Sequence, residues 1–262
     1  MSKINNKLAT INKTALVSYV VAGDPDLQTS YKICETLIKT GTDIIELGMP
    51  FSDPVADGAT IQNAANRALK QNINLENCFS LAKKLGEKYS ETPIILMGYL
   101  NPILHYGVSK FIKAAEQHNI SGLIIVDLPL EELENYPELR NSRKLPVIPL
   151  VTPLTSMSRL QKMSDSMAAF IYFISVFGIT GSKTPDLKKV ERELNYIKKH
   201  IKKKIAVGFG INNAEQIKSL RKFSDLVVIG SAYCKIIEAH LSEPKIMLEQ
   251  LASFNQQISS NL

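Results

Sequence analysis

The chain has 262 residues, close to the ~250 usual for one α/β barrel, so its length does not require two domains. With 45% hydrophobic and 21% charged residues, its composition is that of a globular protein and excludes disordered and fibrous classes. The net charge of +6 brings a basic run, "KKHIKKK" (198–204), but only 6 of the 31 basic residues are Arg and no aromatics are interleaved. The run therefore reads as a solvated helix end before a strand, not a nucleic-acid surface.

The first twenty residues lack the charged, apolar and small-residue order of a secretory signal, and no apolar run reaches eighteen residues. A soluble, intracellular protein is expected. A short helix over residues 3–12 is expected to plug one end of the fold. Apolar, Val- and Ile-rich runs then recur at 15–23, 43–50, 93–99, 122–129, 146–153, 169–178, 204–211 and 225–232. Their continuous apolar character suits strands covered on both faces, as in a parallel sheet. Helix-period segments alternate with them. In "DLQTSYKICETLIKTG", Tyr31, Cys34, Leu37 and Ile38 share one face and Gly41 stands as a C-terminal cap. The longer crossover at 56–91 reads as two helices. Eight strand–helix units predict an α/β fold, a (β/α)8 TIM barrel with an extra N-terminal helix, formed as a single domain over 1–262; an open sheet is the alternative.

The three cysteines, Cys34, Cys78 and Cys234, are odd in number and far apart, and read as buried thiols. The four His show no ligand spacing, so no metal is assigned.

The second strand ends in chemistry. "DIIELGMPFSDPVADG" (43–58) places Glu46, Asp53 and Asp57 within a dozen residues. In strand alternation Ile45, Leu47 and Met49 pack under the helices, which turns Glu46 into the barrel mouth, where active sites of such barrels gather. Among apolar walls its pKa should rise toward neutrality, suiting it both to give and to take a proton. The alternative is a Glu paired with an inward Lys or Arg, which no strand offers. Asp53 and Asp57 could each be turn or capping residues, and the pattern leaves open which works with Glu46. Glycines close three late strands: Gly178 and Gly181, Gly208 and Gly210, and Gly230 with Ser231. Before the helix start "SAYCKIIEA", they suit an anion such as phosphate.

Together, "GDPD" (23–26), "ELGMPFSDPVADG" followed by "TIQNAANRAL", "YFISVFGITG" and "GFGI" resemble the α subunit family of tryptophan synthase, from about Ala15 to Leu251. The first motif is long and specific, whereas "GFGI" and "GSA" fit many phosphate-binding barrels. Ile179, where many members carry Val, is a mild departure. The resemblance implies retro-aldol cleavage of indole-3-glycerol phosphate, with Glu46 and Asp57 as catalytic acids and Tyr172 as an active-site Tyr, although a core Tyr is the alternative. It implies phosphate binding at Thr180, Gly181, Gly210, Gly230 and Ser231, and a mobile loop at Thr180. Tyr19, Ile61, Met97 and Phe209 would line the indole pocket, each with an ordinary core role as the alternative.

The resemblance also implies an α2β2 complex. Pro54, Asn101, Pro102 and the region after Asp127 would face a β subunit that carries pyridoxal phosphate, with no cofactor in this chain. Loop closure would couple the two sites. The compartments left open are bacterial cytoplasm and plastid stroma. Two rival readings remain: a sugar-phosphate isomerase or epimerase on the same barrel, and a non-catalytic subunit that only activates a β partner.

Overall fold

A computed structural model describes residues 2–174, 187–208 and 214–262. Eight parallel strands alternate with helices in the spatial order β4-β3-β2-β1-β8-β7-β6-β5. They are β1 (Ala15–Val21), β2 (Ile44–Gly48), β3 (Ile94–Gly98), β4 (Ile120–Ile125), β5 (Leu150–Val151), β6 (Phe170–Ile174), β7 (Lys204–Gly208) and β8 (Leu226–Ile229). The two edges of this sheet meet just before β5. Leu123 N–H donates to Pro146 O (3.0 Å), and Ile148 N–H donates to Leu123 O (2.7 Å). The result is a nearly closed TIM barrel. Every residue of β1, β2 and β4 is buried, as the continuous apolar runs require of strands with covered faces.

The helix α1 (Lys3–Thr10) is capped by Ser2, whose hydroxyl accepts from Asn5 N–H (3.2 Å), and it buries Ile4 and Leu8. Ile4 reaches the start of β4 beside Gly122, so α1 covers the bottom of the barrel as expected. The helix α2 (Leu27–Lys39) starts on Asp26, whose carboxylate accepts from Thr29 N–H (2.8 Å). At its end Gly41 adopts φ +110°, and the N–H groups of Gly41 and Thr42 return to the carbonyls of Ile38 and Leu37. This paired closure needs the left-handed freedom of glycine, and it directs the chain into β2. The second crossover holds two helices, α3 (Ala59–Lys70) and α4 (Leu75–Lys88), as predicted.

Strand extents are shorter than the apolar runs. The fifth run (146–153) yields only Leu150–Val151 and a bridge at Val147. Pro146, Pro149 and Pro153 lack the N–H groups a full ladder requires. The fourth strand begins at Ile120 and ends at Ile125, and the chain turns at Asp127, whose carboxylate accepts from Leu100 N–H (2.8 Å). The sixth and seventh strands end at Ile174 and Gly208; their expected continuations to 178 and 211 lie outside the described residues.

The third crossover also contains two helices, α5 (Leu100–Tyr106) and α6 (Val108–Gln117). The fourth holds only a 3-10 turn and the short α7 (Pro137–Asn141), and α8 (Met157–Ser164) follows β5. The basic run is, as expected, the end of α9 (Leu187–His200) and the approach to β7. After α10 (Ala214–Leu220) and β8, the chain finishes with α11 (Ser231–Ala239) and α12 (Pro244–Ser259). All three cysteines are buried and unbridged. Among the described residues no helix is long and apolar enough to cross a membrane.

Candidate active site

The carboxyl ends of the strands converge on one cavity. Tyr19 from β1, Glu46 from β2, Met97 from β3, Tyr172 and Ile174 from β6, Gly208 from β7 and Val228 from β8 all line it. The loops add Ala56, Asp57, Val126 and Gly230, and the helix starts add Ile61 from α3 and Ser231 from α11. This is the side on which barrels of this architecture place their chemistry.

Glu46 faces inward, as strand alternation requires, and is 1% exposed. Both of its carboxylate oxygens are buried without a hydrogen-bond partner among the described residues. A carboxylate in that position has given up water and gained nothing that favours its charge. Burial first, and then the neighbouring charge of Asp57, push its pKa to about 8. Among the described residues no Lys or Arg pairs with Glu46, against the alternative of a Glu neutralised by a buried cation. At neutral pH the group carries its proton and can donate it.

Asp57 sits differently. Its loop is pinned by Asp57 N–H to Pro54 O (3.0 Å) and by the Gln62 side-chain amide to Asp57 O (2.8 Å). The helix that follows, α3, is entered through Gly58, which offers no side-chain cap of its own. The carboxylate of Asp57 accepts from Tyr99 Oη (3.0 Å), which is not part of this helix start and whose oxygen in turn accepts from Ala56 N–H (3.1 Å). Burial raises the pKa of Asp57, and the Tyr99 hydrogen bond opposes that rise. Asp53 pairs with its neighbour Ser52 and lines no part of the cavity. Of the two aspartates that the sequence pattern left open, Asp57 is the one that lines the cavity with Glu46.

The two inward tyrosines occupy matching niches. Tyr19 is paired in register with Glu46, and Gly48 lies two residues further along the same strand. Tyr172 is paired with Ala206, and Gly208 lies two residues further along. A Cβ on Gly48 would strike the Tyr19 ring, and one on Gly208 would strike the Tyr172 ring. Gly208 therefore makes room for a phenol, a role the phosphate reading of "GFGI" did not foresee. Burial raises the pKa of both phenols well above the ordinary value, so they remain neutral hydrogen-bonding groups beside Glu46.

Of the residues singled out in the sequence, Glu46, Asp57, Tyr172, Tyr19, Ile61, Met97, Gly230 and Ser231 meet in this one cavity. Thr180, Gly181, Phe209 and Gly210 lie outside the described residues. Pro54 and Asn101 do not line the cavity; nor does Pro102, and Asn101 is exposed in the first turn of α5. Sequence reasoning missed Tyr99, the partner of Asp57, together with Val126, Ile174 and Val228. Tyr99 follows inward Met97 by two, and that spacing was the available signal. Among the described residues, no cluster of three or more His, Cys, Asp or Glu could hold a metal ion.

Fold and site define a (β/α)8 barrel whose mouth holds one buried carboxyl, unpaired among the described residues, beside a second carboxylate held by a tyrosine. A family model described as "Tryptophan synthase alpha chain" matches residues 6–262. The chain is 38% identical over 256 residues to the tryptophan synthase alpha chain of Hydrogenovibrio crunogenus, covering 97% of this chain and 94% of that one. It is 40% identical over 241 residues to that of Geotalea uraniireducens, covering 91% and 90%. A crystal structure of tryptophan synthase subunit alpha from Legionella pneumophila superposes with TM-score 0.89 at 32% identity, covering 99% of each chain. A tryptophan synthase complex from Pyrococcus furiosus contains a chain that superposes at 0.84 with 33% identity, covering 95% of this chain and 98% of that one. The chain belongs to the tryptophan synthase alpha chain family.

Proposed function

We propose that this chain is a lyase subunit of tryptophan biosynthesis that cleaves indole-3-glycerol phosphate to indole and D-glyceraldehyde 3-phosphate. The observation that carries this reading is the buried carboxyl of Glu46, without a hydrogen-bond partner among the described residues, in the same cavity as Asp57 and the first residue of α11. Indole leaves poorly until carbon 3 of its ring is protonated. Protonated Glu46 gives that proton, which converts the ring to an iminium-like electrophile. The carboxylate so formed takes the proton of the adjacent side-chain hydroxyl as the carbon–carbon bond breaks. The bonding electrons return to the ring, the hydroxyl becomes the aldehyde, and Glu46 ends as it began.

Asp57 accepts a hydrogen bond from the ring N–H and stabilises the positive charge that develops there, and Tyr99 holds it in place. Tyr172 borders Glu46 as a neutral polar group. Tyr19, Ile61 and Met97 supply walls for the indole, with Phe209 added by family resemblance. Gly230 and Ser231 open α11, where backbone N–H groups and the helix dipole suit a phosphate. Thr180, Gly181 and Gly210 join them by resemblance.

The chain would work in an α2β2 complex, passing indole to a β subunit that holds pyridoxal phosphate, with no cofactor of its own. Exposed Val55, Leu104 and Leu154 lie on segments following β2, β3 and β5, on the mouth side with Pro54, Asn101 and Pro102, and suit a partner face. The test is to mix the purified chain with indole-3-glycerol phosphate, with and without a tryptophan synthase β subunit and serine. Slow indole release alone and much faster tryptophan formation with the partner are expected. No product under either condition defeats the reading.

A further inference from the structure

Arg67 stands behind the cavity on α3 and joins three neighbouring units of the barrel. Its Nε and Nη2 donate to Asp24 Oδ1 (2.7 Å) and Oδ2 (2.9 Å), and the Asp24 side chain is fully buried. Asp24 is itself fixed in the turn after β1, where its N–H donates to Val21 O (3.2 Å) and Gly23 N–H donates to Ser30 Oγ (3.0 Å). The remaining arm, Nη1, donates to Glu238 Oε1 (3.1 Å), and Asn63 Nδ2 from the same helix donates to that same oxygen (3.0 Å). The guanidinium fork suits this task because its N–H groups leave in fixed directions.

Glu238 is the penultimate residue of α11, and Ser231 at the other end of that helix lines the cavity. The helix is nine residues long, a rigid rod of about 13 Å, so holding one end sets the direction of the other. Tyr233 also anchors α11: its hydroxyl donates to Asn255, and Ser18 Oγ donates to it (3.2 Å). That network fastens the helix to β1 and α12. The Arg67 contact instead fastens it to α3, which carries Ile61 and begins two residues after Asp57.

We propose that Arg67, clamped by Asp24, is a positioning residue that acts through Glu238 to set the phosphate-facing end of α11 against the indole-facing wall of α3. This rests on the proposed function. Glu238 is 39% exposed in its side chain, so it can be replaced without burying an unpaired charge. In Glu238→Ala, KM for indole-3-glycerol phosphate and Kd for inorganic phosphate should each rise roughly three- to tenfold while kcat stays within about twofold, because the phosphate grip acts equally in ground and transition states. In Glu238→Gln both constants should stay near wild type, since Oε1 can still accept both bonds.

A KM and phosphate Kd unchanged in Glu238→Ala overturn the proposal, and so does an equal rise in Glu238→Gln. Wild-type protein that binds no phosphate also overturns it. Wild-type protein that binds phosphate but makes no indole defeats the proposed function, and the phosphate arm then decides the clamp by itself.

Discussion

Asp43, just before β2, and Glu46, at its centre, lie three residues apart and meet opposite fates. At the bottom of the barrel, Asp43 Oδ2 accepts from Leu16 N–H (2.9 Å) on the neighbouring strand, and Oδ1 lies 3.7 Å from Lys7 Nζ of the plugging helix. Asp225 repeats the arrangement before β8, accepting from Ile205 N–H (3.0 Å) on β7. At the mouth, Glu46 has neither a donor nor a cation among the described residues. The first carboxylate holds strands together, and the second is a carboxyl that destabilises the fold once ionised. A barrel with a stability face and a chemistry face shows this division within a single strand.

The sharpest break in the comparison is Glu46→Gln, which keeps the shape but has no proton to give. Indole formation should fall by roughly a thousandfold, measured under saturating substrate. Its stability should move the other way. The folded pKa of Glu46 is raised above the usual carboxyl value, so between about 4.5 and about 8 the native chain holds a proton that the unfolded chain releases. Wild-type stability therefore falls as pH rises through that window, and the whole cost is present above it. Thermal unfolding should show Glu46→Gln more stable than wild type at pH 9, with the gap closing by pH 5; a gap independent of pH would contradict the buried, unpaired carboxyl.

Asp57→Asn removes the counter-charge proposed for the ring and should lower kcat by roughly a hundredfold in the same assay. Asp43→Ala reverses the pattern: it leaves Leu16 N–H buried and unpaired and should cost about 1–3 kcal/mol in denaturant unfolding. Activity per folded molecule should stay within about twofold of wild type. Tyr99→Phe is the mildest of the four. It takes the hydrogen bond from Asp57 and the acceptor from Ala56 N–H, on an exposed residue that water can serve, and should lower kcat by roughly three- to tenfold, with unfolding little changed.

Much of this division was legible before the structure. Strand alternation alone turned Glu46 inward, because Ile45 and Leu47 claimed the helix-facing side, and the absence of inward cations left it unpaired. Gly41 announced the end of α2. The shortness of β5 was also written in its prolines, yet the apolar run masked them, since hydrophobic content reports burial and not the supply of N–H donors. Local pattern did not separate Asp57 from Asp53; the family resemblance did, and what each carboxylate touches shows the difference physically, with the partner Tyr99 42 positions away. The clamp on Arg67 was invisible for the same reason: its two partners are 43 and 171 positions distant, and nothing local distinguishes an arginine that will meet two carboxylates. Local pattern reports facing and capping, whereas a site assembled across the barrel mouth is fixed by closure.

The measurement that bears most directly on Glu46 as the proton donor is kcat/KM for indole formation between pH 5 and pH 10, in wild type and in Glu46→Gln. The wild-type profile should fall as pH rises through about 8, where the free enzyme loses the proton of Glu46, and the variant should lie flat at its residual level. Undiminished wild-type activity through pH 10, or a variant that keeps the wild-type profile, would contradict the account.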